Sequence, residues 1–476
     1  MNKPSESPSF LSLFAKQERV YPKRVSGKFR NLKWIAMVVC LAIYYLAPFI
    51  RWDRGPYAPD QAILIDLPAR RAYWFWIEIW PQEVYILTGL LILAAIVLFF
   101  VTSMFGRVWC GYFCFQTIWT DLFVWVERIV QGDRNKRKRL REGKWTFEKT
   151  WKVALTHTLW LIIAWWTAGS FVLYFNDAPT LVKSFFTGDV STVVLGFIGG
   201  LTFMTYMMAG FAREQVCTFM CPYARFQSAM FDKDTLIIGY DETRGEPRGK
   251  HKKGESWDGL GDCVDCSLCV QVCPTGIDIR KGLQMECIAC GLCADACDTT
   301  MEKVGLPLGL IKYDTERRIE ERAAGKKESP IKLLRPRTIL YTLVLSLVGG
   351  AMLYTLVMRP PFEMNVLHDR NPLFVKLSNG DIRNGYRIKV LNKTHQHQTF
   401  ALSLLGLEGA AIRLNSPTQQ DLKHLYVRAG HVGQFKVFVQ AAAPAESPKE
   451  FSFTLTNEHG TEAEVTTVFV SQRPND

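Results

Sequence analysis

At 476 residues and 48% hydrophobic, the chain is too long for one domain. Its net charge of +12 raises nucleic acid as a partner, but the basic residues are unevenly placed. A membrane accounts for them better, so no nucleic-acid role is expected.

Residues 1–33 are polar and basic, with no small-residue cleavage site after a short apolar core, and read as a cytoplasmic tail. Five apolar runs long enough to span a bilayer follow: Trp34–Ile50, Val84–Phe105, Val153–Phe175, Val190–Phe211 and Thr338–Met358. Tyr73–Trp80 is too short and too aromatic to span, and suits a helix lying in the interface. Eight lysines and arginines precede the first run and eleven lie in 107–152, against four in 51–83 and one in 176–189. The positive-inside rule therefore places the tail, 107–152 and 213–337 in the cytoplasm, and 359–476 outside. The basic run Arg134–Arg139 reads as a topogenic or lipid-facing feature.

Two blocks repeat within residues 34–225, the expected four-helix membrane core. Phe105-Gly-Arg-Val-Trp-Cys110-Gly-Tyr-Phe-Cys114-Phe-Gln follows the second run. Phe211-Ala-Arg-Glu-Gln-Val-Cys217-Thr-Phe-Met-Cys221-Pro-Tyr-Ala-Arg-Phe-Gln follows the fourth. Each carries C-x3-C, which on a helix puts two thiols on one face. A parallel repeat would bring the pairs together at the cytoplasmic edge. Four converging thiols suit copper(I), zinc, an extra iron–sulfur cluster or a redox dithiol. Met204, Met207, Met208 and Met220 read chiefly as packing residues, as does Cys40. His157, the single histidine within a run, reads as a hydrogen-bonded interior residue; two chains would be needed for a bis-histidine haem.

Residues 226–337 are expected to form a cytoplasmic ferredoxin segment and its connector. Here C-x2-C-x2-C-x3-C occurs twice, taking eight of the 13 cysteines. In that run three thiolates wrap one cube and the fourth reaches a second. Cys263, Cys266, Cys269 and Cys297 are assigned to one [4Fe–4S] cluster, and Cys273, Cys287, Cys290 and Cys293 to the other. Paired zinc sites fit the doubled triplet badly. Pro274 closes the first copy, and Asp298 stands where the second would have proline. Residues 244–256 read as a flexible linker and 311–332 as a solvated connector.

After the fifth span, 338–358, the region 359–476 alternates in polarity. Seven strands are expected: Leu373–Leu377, Tyr386–Leu391, Thr399–Leu404, His424–Val427, Gln434–Val439, Phe451–Leu455 and Glu464–Val470. They suggest an immunoglobulin-like sandwich. His368, His395, His397, Met358 and Met364 read as scattered residues rather than a copper site. With no cysteine there, disulfides contribute nothing.

This order of features resembles the FixG/RdxA/CcoG group of cytochrome oxidase accessory proteins. The resemblance covers nearly the whole chain. Trp109–Gln116, Val216–Gln227, Cys263–Pro274, Cys287–Asp298 and Glu302–Glu316 carry it. It implies a copper(II) reductase supplying copper(I) for cbb3-type oxidase assembly in the bacterial inner membrane. Its implied partners are a cytoplasmic or quinone electron donor, a copper transporter or chaperone, oxidase assembly factors, membrane lipid and, in one arrangement, a second copy of the chain. Phe115 departs from the proline that related membrane ferredoxins carry after the second cysteine, which Pro222 keeps; equal geometry of the two pairs is thus open. A quinol dehydrogenase and a non-enzymatic assembly scaffold are the competing readings.

Overall fold

In a computed structural model, described for residues 19–250, 259–415, 421–442 and 447–471, the chain forms two compact units. The first runs to Ile50 and from Gln61 to Met352. The second joins Arg51–Asp60 to the chain from Leu353 onward.

In the first unit, five helices are long and apolar enough to cross a membrane: Lys28–Phe49, Pro81–Phe105, Phe147–Val172, Thr192–Met220 and Pro336–Val357. The first and third begin well before the apolar runs do, because each has a cap. The Asp295 carboxylate accepts from the backbone N–H of Phe29 at 3.1 Å and of Arg30 at 2.7 Å. Thr146 accepts from the Lys149 N–H at 3.3 Å. The fourth widens into π-helical turns at Tyr206–Ala212 and Val216–Met220, with Arg213 between them at a φ of 40°. Such turns accompany functional positions.

Tyr73–Trp80 is not a helix. Ile63–Asp66, Arg71–Trp74 and Ile77–Ile79 form an antiparallel three-stranded sheet. Alternating aromatic and β-branched residues favour strands, and Phe75 makes the turn at a φ of 53°. Tyr73 and Trp80 are buried.

Residues 107–152 are mostly helical: Val108–Tyr112, Phe115–Gln131 and Arg134–Glu142. Phe115–Gln131 is amphipathic, burying Phe123, Val124 and Val126. The cysteine-rich region carries helices Leu268–Val272 and Leu292–Val304. It is closed by a ribbon in which Leu236–Tyr240 pairs with Ile311–Thr315. The expected connector at 311–332 is therefore structured. Ile311 is buried, and Arg322 on helix Glu316–Ala323 binds Asp314 at 2.6 Å and Glu328 at 2.8 Å. The expected linker also begins in structure, with Arg244 bound to Asp262 and the Pro307 carbonyl. Residues 251–258 lie outside the described residues.

The second unit is a two-sheet antiparallel sandwich. One sheet orders Ala411–Asn415, Val432–Ala441, Ile382–Asn392 and Phe362–His368, with Val375–Lys376 also pairing Ile382–Asn392. The other orders Leu425–Val427, Gln398–Leu405, Lys449–Asn457 and Glu462–Phe469. Alternate residues face inward, so Tyr386, Ile388, Val390, Phe400, Phe453 and Leu455 form the core. Each such side chain contributes roughly 1.5–3 kcal/mol by leaving water. Phe362–His368 and Ala411–Asn415 are additional to the seven expected strands.

Candidate functional site

Two cavities of about 20 Å³ each lie inside the cysteine-rich region. Cys263, Cys266, Cys269 and Cys297 line one. Cys273, Cys287, Cys290 and Cys293 line the other, which Cys269 also borders. The two sequence copies build matching backbones. Asp265 and Ser267 in the first, and Ala289 and Gly291 in the second, adopt positive φ of 48°, 54°, 50° and 72°. Successive reversals of this kind turn backbone N–H groups inward, as an anionic cluster requires. Helix Leu292–Val304 then carries Cys293 to one cavity and Cys297, one turn later, to the other. Cys273 follows the first helix in extended conformation. Asp298 lies inside its helix, where proline would cost about 3 kcal/mol, and accepts from the Gly309 N–H at 2.8 Å.

These residues fit iron–sulfur clusters better than single ions. Each cavity is lined by its four assigned thiols, the number one [4Fe–4S] cube takes. Thiols set around a cavity suit a body of several ions. Burial pushes the Cys269 thiol up to about 11 and those of Cys287 and Cys297 to about 12, so cluster binding must displace protons.

The thiols of Cys110, Cys114, Cys217 and Cys221 lie within electrostatic reach of one another. Neither pair sits on one face of a continuous α-helix. Cys110 lies in the short helix Val108–Tyr112, and Cys114 beyond it at φ −64°, ψ 126°. Cys217 lies in a π-helical turn, and Cys221 beyond it at φ −81°, ψ 108°. The N–H of Cys114 reaches the Trp109 carbonyl at 2.9 Å, and that of Cys221 the Val216 carbonyl at 2.8 Å, each five residues back. Phe115 and Pro222 each open the next helix. The backbone is thus alike in both copies despite the missing proline.

Several residues that sequence reasoning passed over join the thiols to the second cavity. Cys110 packs with Val272, Ile288 and Cys290 in one apolar cluster. Gly111 rests on the cysteine loop so closely that a Cβ there would lie 2.7 Å from the Ile288 carbonyl oxygen. Tyr112 donates to the Cys290 carbonyl at 2.9 Å. The Cys110 thiol donates to the buried Gln227 at 3.0 Å. Gln116 donates to the carbonyls of Met208 at 2.9 Å and Arg213 at 3.2 Å. Each block's glutamine therefore reaches into the other's surroundings. The Phe-Gln ending shared by both blocks was the available signal. Burial pushes the Cys110 thiol up to about 11, Arg107 opposes this, and Cys114 and Cys221 add to it.

The remaining candidates are not gathered. Met204, Met207 and Met220 are exposed. Cys40 is a half-buried free thiol in the first helix. His157 Nδ1 lies 2.9 Å from the Tyr206 hydroxyl. In the sandwich, His368 pairs with Asn384 at 2.8 Å, His397 with Tyr57 at 2.9 Å, and Met364 is buried in the core.

Apolar helices, a cysteine domain with two cavities each lined by four thiols and an antiparallel sandwich define an iron–sulfur electron-transfer protein with a β-rich appendage. Family models agree. A 4Fe-4S dicluster domain matches residues 212–316, and a 4Fe-4S binding domain matches 86–137. The IG-like fold at the C-terminus of FixG matches 352–472. Protein RdxB of Cereibacter sphaeroides is 49% identical over 88% of this chain and 90% of its own. Nitrogen fixation protein FixG of Rhizobium meliloti is 44% identical over 94% and 91%. A FixG-related protein of Vibrio parahaemolyticus, solved by crystallography, is 26% identical over 24% of this chain and 99% of its own, with a TM-score of 0.21. The chain belongs to the FixG family.

Proposed function

We propose that the chain is a multi-pass bacterial inner-membrane protein that reduces copper(II) to copper(I) for cbb3-type oxidase assembly. Cys263, Cys266, Cys269 and Cys297 would hold one [4Fe–4S] cluster, and Cys273, Cys287, Cys290 and Cys293 the other. Bound there, the clusters supply one-electron storage and transfer. Cys110, Cys114, Cys217 and Cys221 would take copper as substrate. The observation that carries this reading is the packing of Cys110 and Gly111 directly on the Ile288–Cys290 loop, beside the second cradle.

The chain's own residues supply the bias. Thiolates prefer copper(I), while copper(II) prefers nitrogen and oxygen in tetragonal geometry, so a thiol site favours the reduced ion. Release to a copper carrier needs ligand exchange, so the site should not be a closed four-thiolate cage. Each copper(II) takes one electron, from a cytoplasmic or quinone donor. Two packings support the expected sidedness. Phe29 and Arg30 of the tail bind Asp295 of the cysteine region. Arg51–Asp60, after the first apolar helix, belongs to the same unit as the sandwich.

A second reading is favoured by the 4Fe-4S binding model over 86–137, which includes Cys110 and Cys114. On it, the four thiols hold a third cluster. Iron analysis separates the two: about eight irons per chain for two cubes, about twelve for three.

The test mixes reduced protein, freed of excess reductant, with copper(II) and a copper(I)-specific chromophore. Cluster reoxidation should track copper(I) appearance. Serine variants of the four thiols should keep eight irons and lose the copper-linked phase. Reduction at the parental rate would remove these thiols from the site. Electron transfer to a quinone analogue but not to copper(II) would replace the copper reading with quinol oxidation.

A further inference from the structure

A further cavity, of about 270 Å³, is lined by Glu127 and Gln131 of helix Phe115–Gln131 and holds none of the cysteines. Arg19, Arg137, Arg141 and Lys149 line it, with Glu127 as the one carboxylate in its wall. Glu127 is already oversubscribed. It binds Arg137 at 2.8 Å, Arg213 at 2.5 Å and Arg19 at 3.3 Å. One buried carboxylate thus faces three guanidiniums, and Arg141 and Lys149 add further positive charge. Lys149 is spent on the Arg141 and Gly143 carbonyls, which carry no formal charge. Burial, with Arg213 and Arg141 adding and Glu127 opposing, pushes the Arg19 pKa down to about 10.

Three donors here are buried without a hydrogen-bond partner among the described residues: Arg19 Nε, Arg137 Nε and the Tyr21 hydroxyl. Arg137 is about 1% exposed. Buried excess cations and unmet donors are costly unless an anion answers them. Val153, Trp160 and Phe211 add apolar surface to a lining that also holds Thr156 and His157. A larger cavity that shares Arg19, Tyr21 and Arg141 adds Arg134 and Lys138, opposed only by Glu142.

We infer that this cavity binds a phosphate group, with its anionic oxygens toward Arg19, Arg137 and Arg141. Two sources share that chemistry: the headgroup of an anionic phospholipid and free phosphate. Val153, Trp160 and the exposed Phe211, beside apolar helix Phe147–Val172, favour the lipid, with its acyl chains running along Phe211. The lipid source rests on the reading of these helices as membrane spans; the phosphate chemistry does not.

The test uses full-length, cluster-loaded protein in neutral detergent. Retention in native mass spectrometry and thermal unfolding are read against phosphatidylglycerol, phosphatidylcholine and inorganic phosphate. Phosphatidylglycerol should be retained and raise the unfolding temperature, whereas phosphatidylcholine should do neither. R141Q removes an exposed arginine and should weaken binding about tenfold, as loss of one charge-assisted contact implies. R19Q/R141Q should weaken it further, with iron content unchanged as the check on folding. Inorganic phosphate reproducing the shift at millimolar concentration, and losing it in R141Q, would support the site and make free phosphate the source. Equal retention of both lipids, equal binding by R141Q, or no response to either anion would overturn the proposal. None of these outcomes depends on copper reduction.

Discussion

Gly111 shows how much one missing side chain can hold. An alanine Cβ there would meet the Ile288 carbonyl at 2.7 Å and Cys290 Cα at 3.1 Å, both backbone atoms that cannot rotate away. Overpacking of this kind costs about 1–3 kcal/mol. Gly111→Ala should therefore loosen the Cys273/Cys287/Cys290/Cys293 cradle and lower iron from about eight toward four per chain. Iron assay with EPR of the reduced protein checks this; full iron content with an unchanged spectrum would refute the contact. Glu127 acts at the same scale. Burial pushes its carboxyl up, but Arg213, Arg19 and Arg137 more than offset that, so it stays lowered from 4.5. A lowered carboxyl stabilises the fold above its unfolded pKa, and that contribution is lost as pH falls through the folded value. Stability should thus drop as pH is taken below about 4.5, while Glu127→Gln should be weakened at neutral pH and respond less to acid. Thermal melts of both proteins from pH 7 to pH 3.5 test the sign.

Among the elements, helix Leu292–Val304 does the most, because it delivers Cys293 and Cys297 to different cavities. The crossing makes sequence neighbours into partners of distant cysteines. Cys273→Ser should damage the cluster assigned to Cys287, Cys290 and Cys293 and spare the one assigned to Cys263, Cys266 and Cys269. Redox titration followed by EPR would separate them; loss of the second kind instead would reverse the ligation. The short helices and π-turns around Cys110, Cys114, Cys217 and Cys221 act similarly. They break the backbone after Cys110 and after Cys217, so that Cys114 and Cys221 each precede a new helix.

For the whole molecule, the organising fact is the division into two units, with Arg51–Asp60 placed among the residues of the sandwich. The Tyr57 and His397 rings meet at a 52° tilt, centroids 4.6 Å apart, and the Tyr57 hydroxyl lies 2.9 Å from His397 Nε2. If the first and fifth apolar helices deliver these segments to one face of a membrane, an export-dependent reporter should be active after Asp476 and also when inserted at Asp53. It should be silent at Arg248. Activity at Arg248, or silence after Asp476, would contradict the proposed topology.

The apolar runs, the doubled cysteine spacing and the alternating strands could be read from the sequence because each is a local pattern with a local physical cause. Bilayer thickness sets helix length, cluster size sets cysteine spacing and the pleat sets the period of two. Tyr73–Trp80 was misread because aromatic content suits an interface helix and a strand alike, and only pairing with Ile63–Asp66 decides. Strand Ile311–Thr315 was hidden because its partner lies more than seventy residues earlier, at Leu236–Tyr240. The sequence by itself determined the kinds of element and the chemistry of the cysteines. Only the tertiary structure decided that Cys110 and Gly111 lie against the Ile288–Cys290 loop, and that one carboxylate, Glu127, faces three arginines. Such juxtapositions depend on how distant segments pack, and no local spacing encodes them.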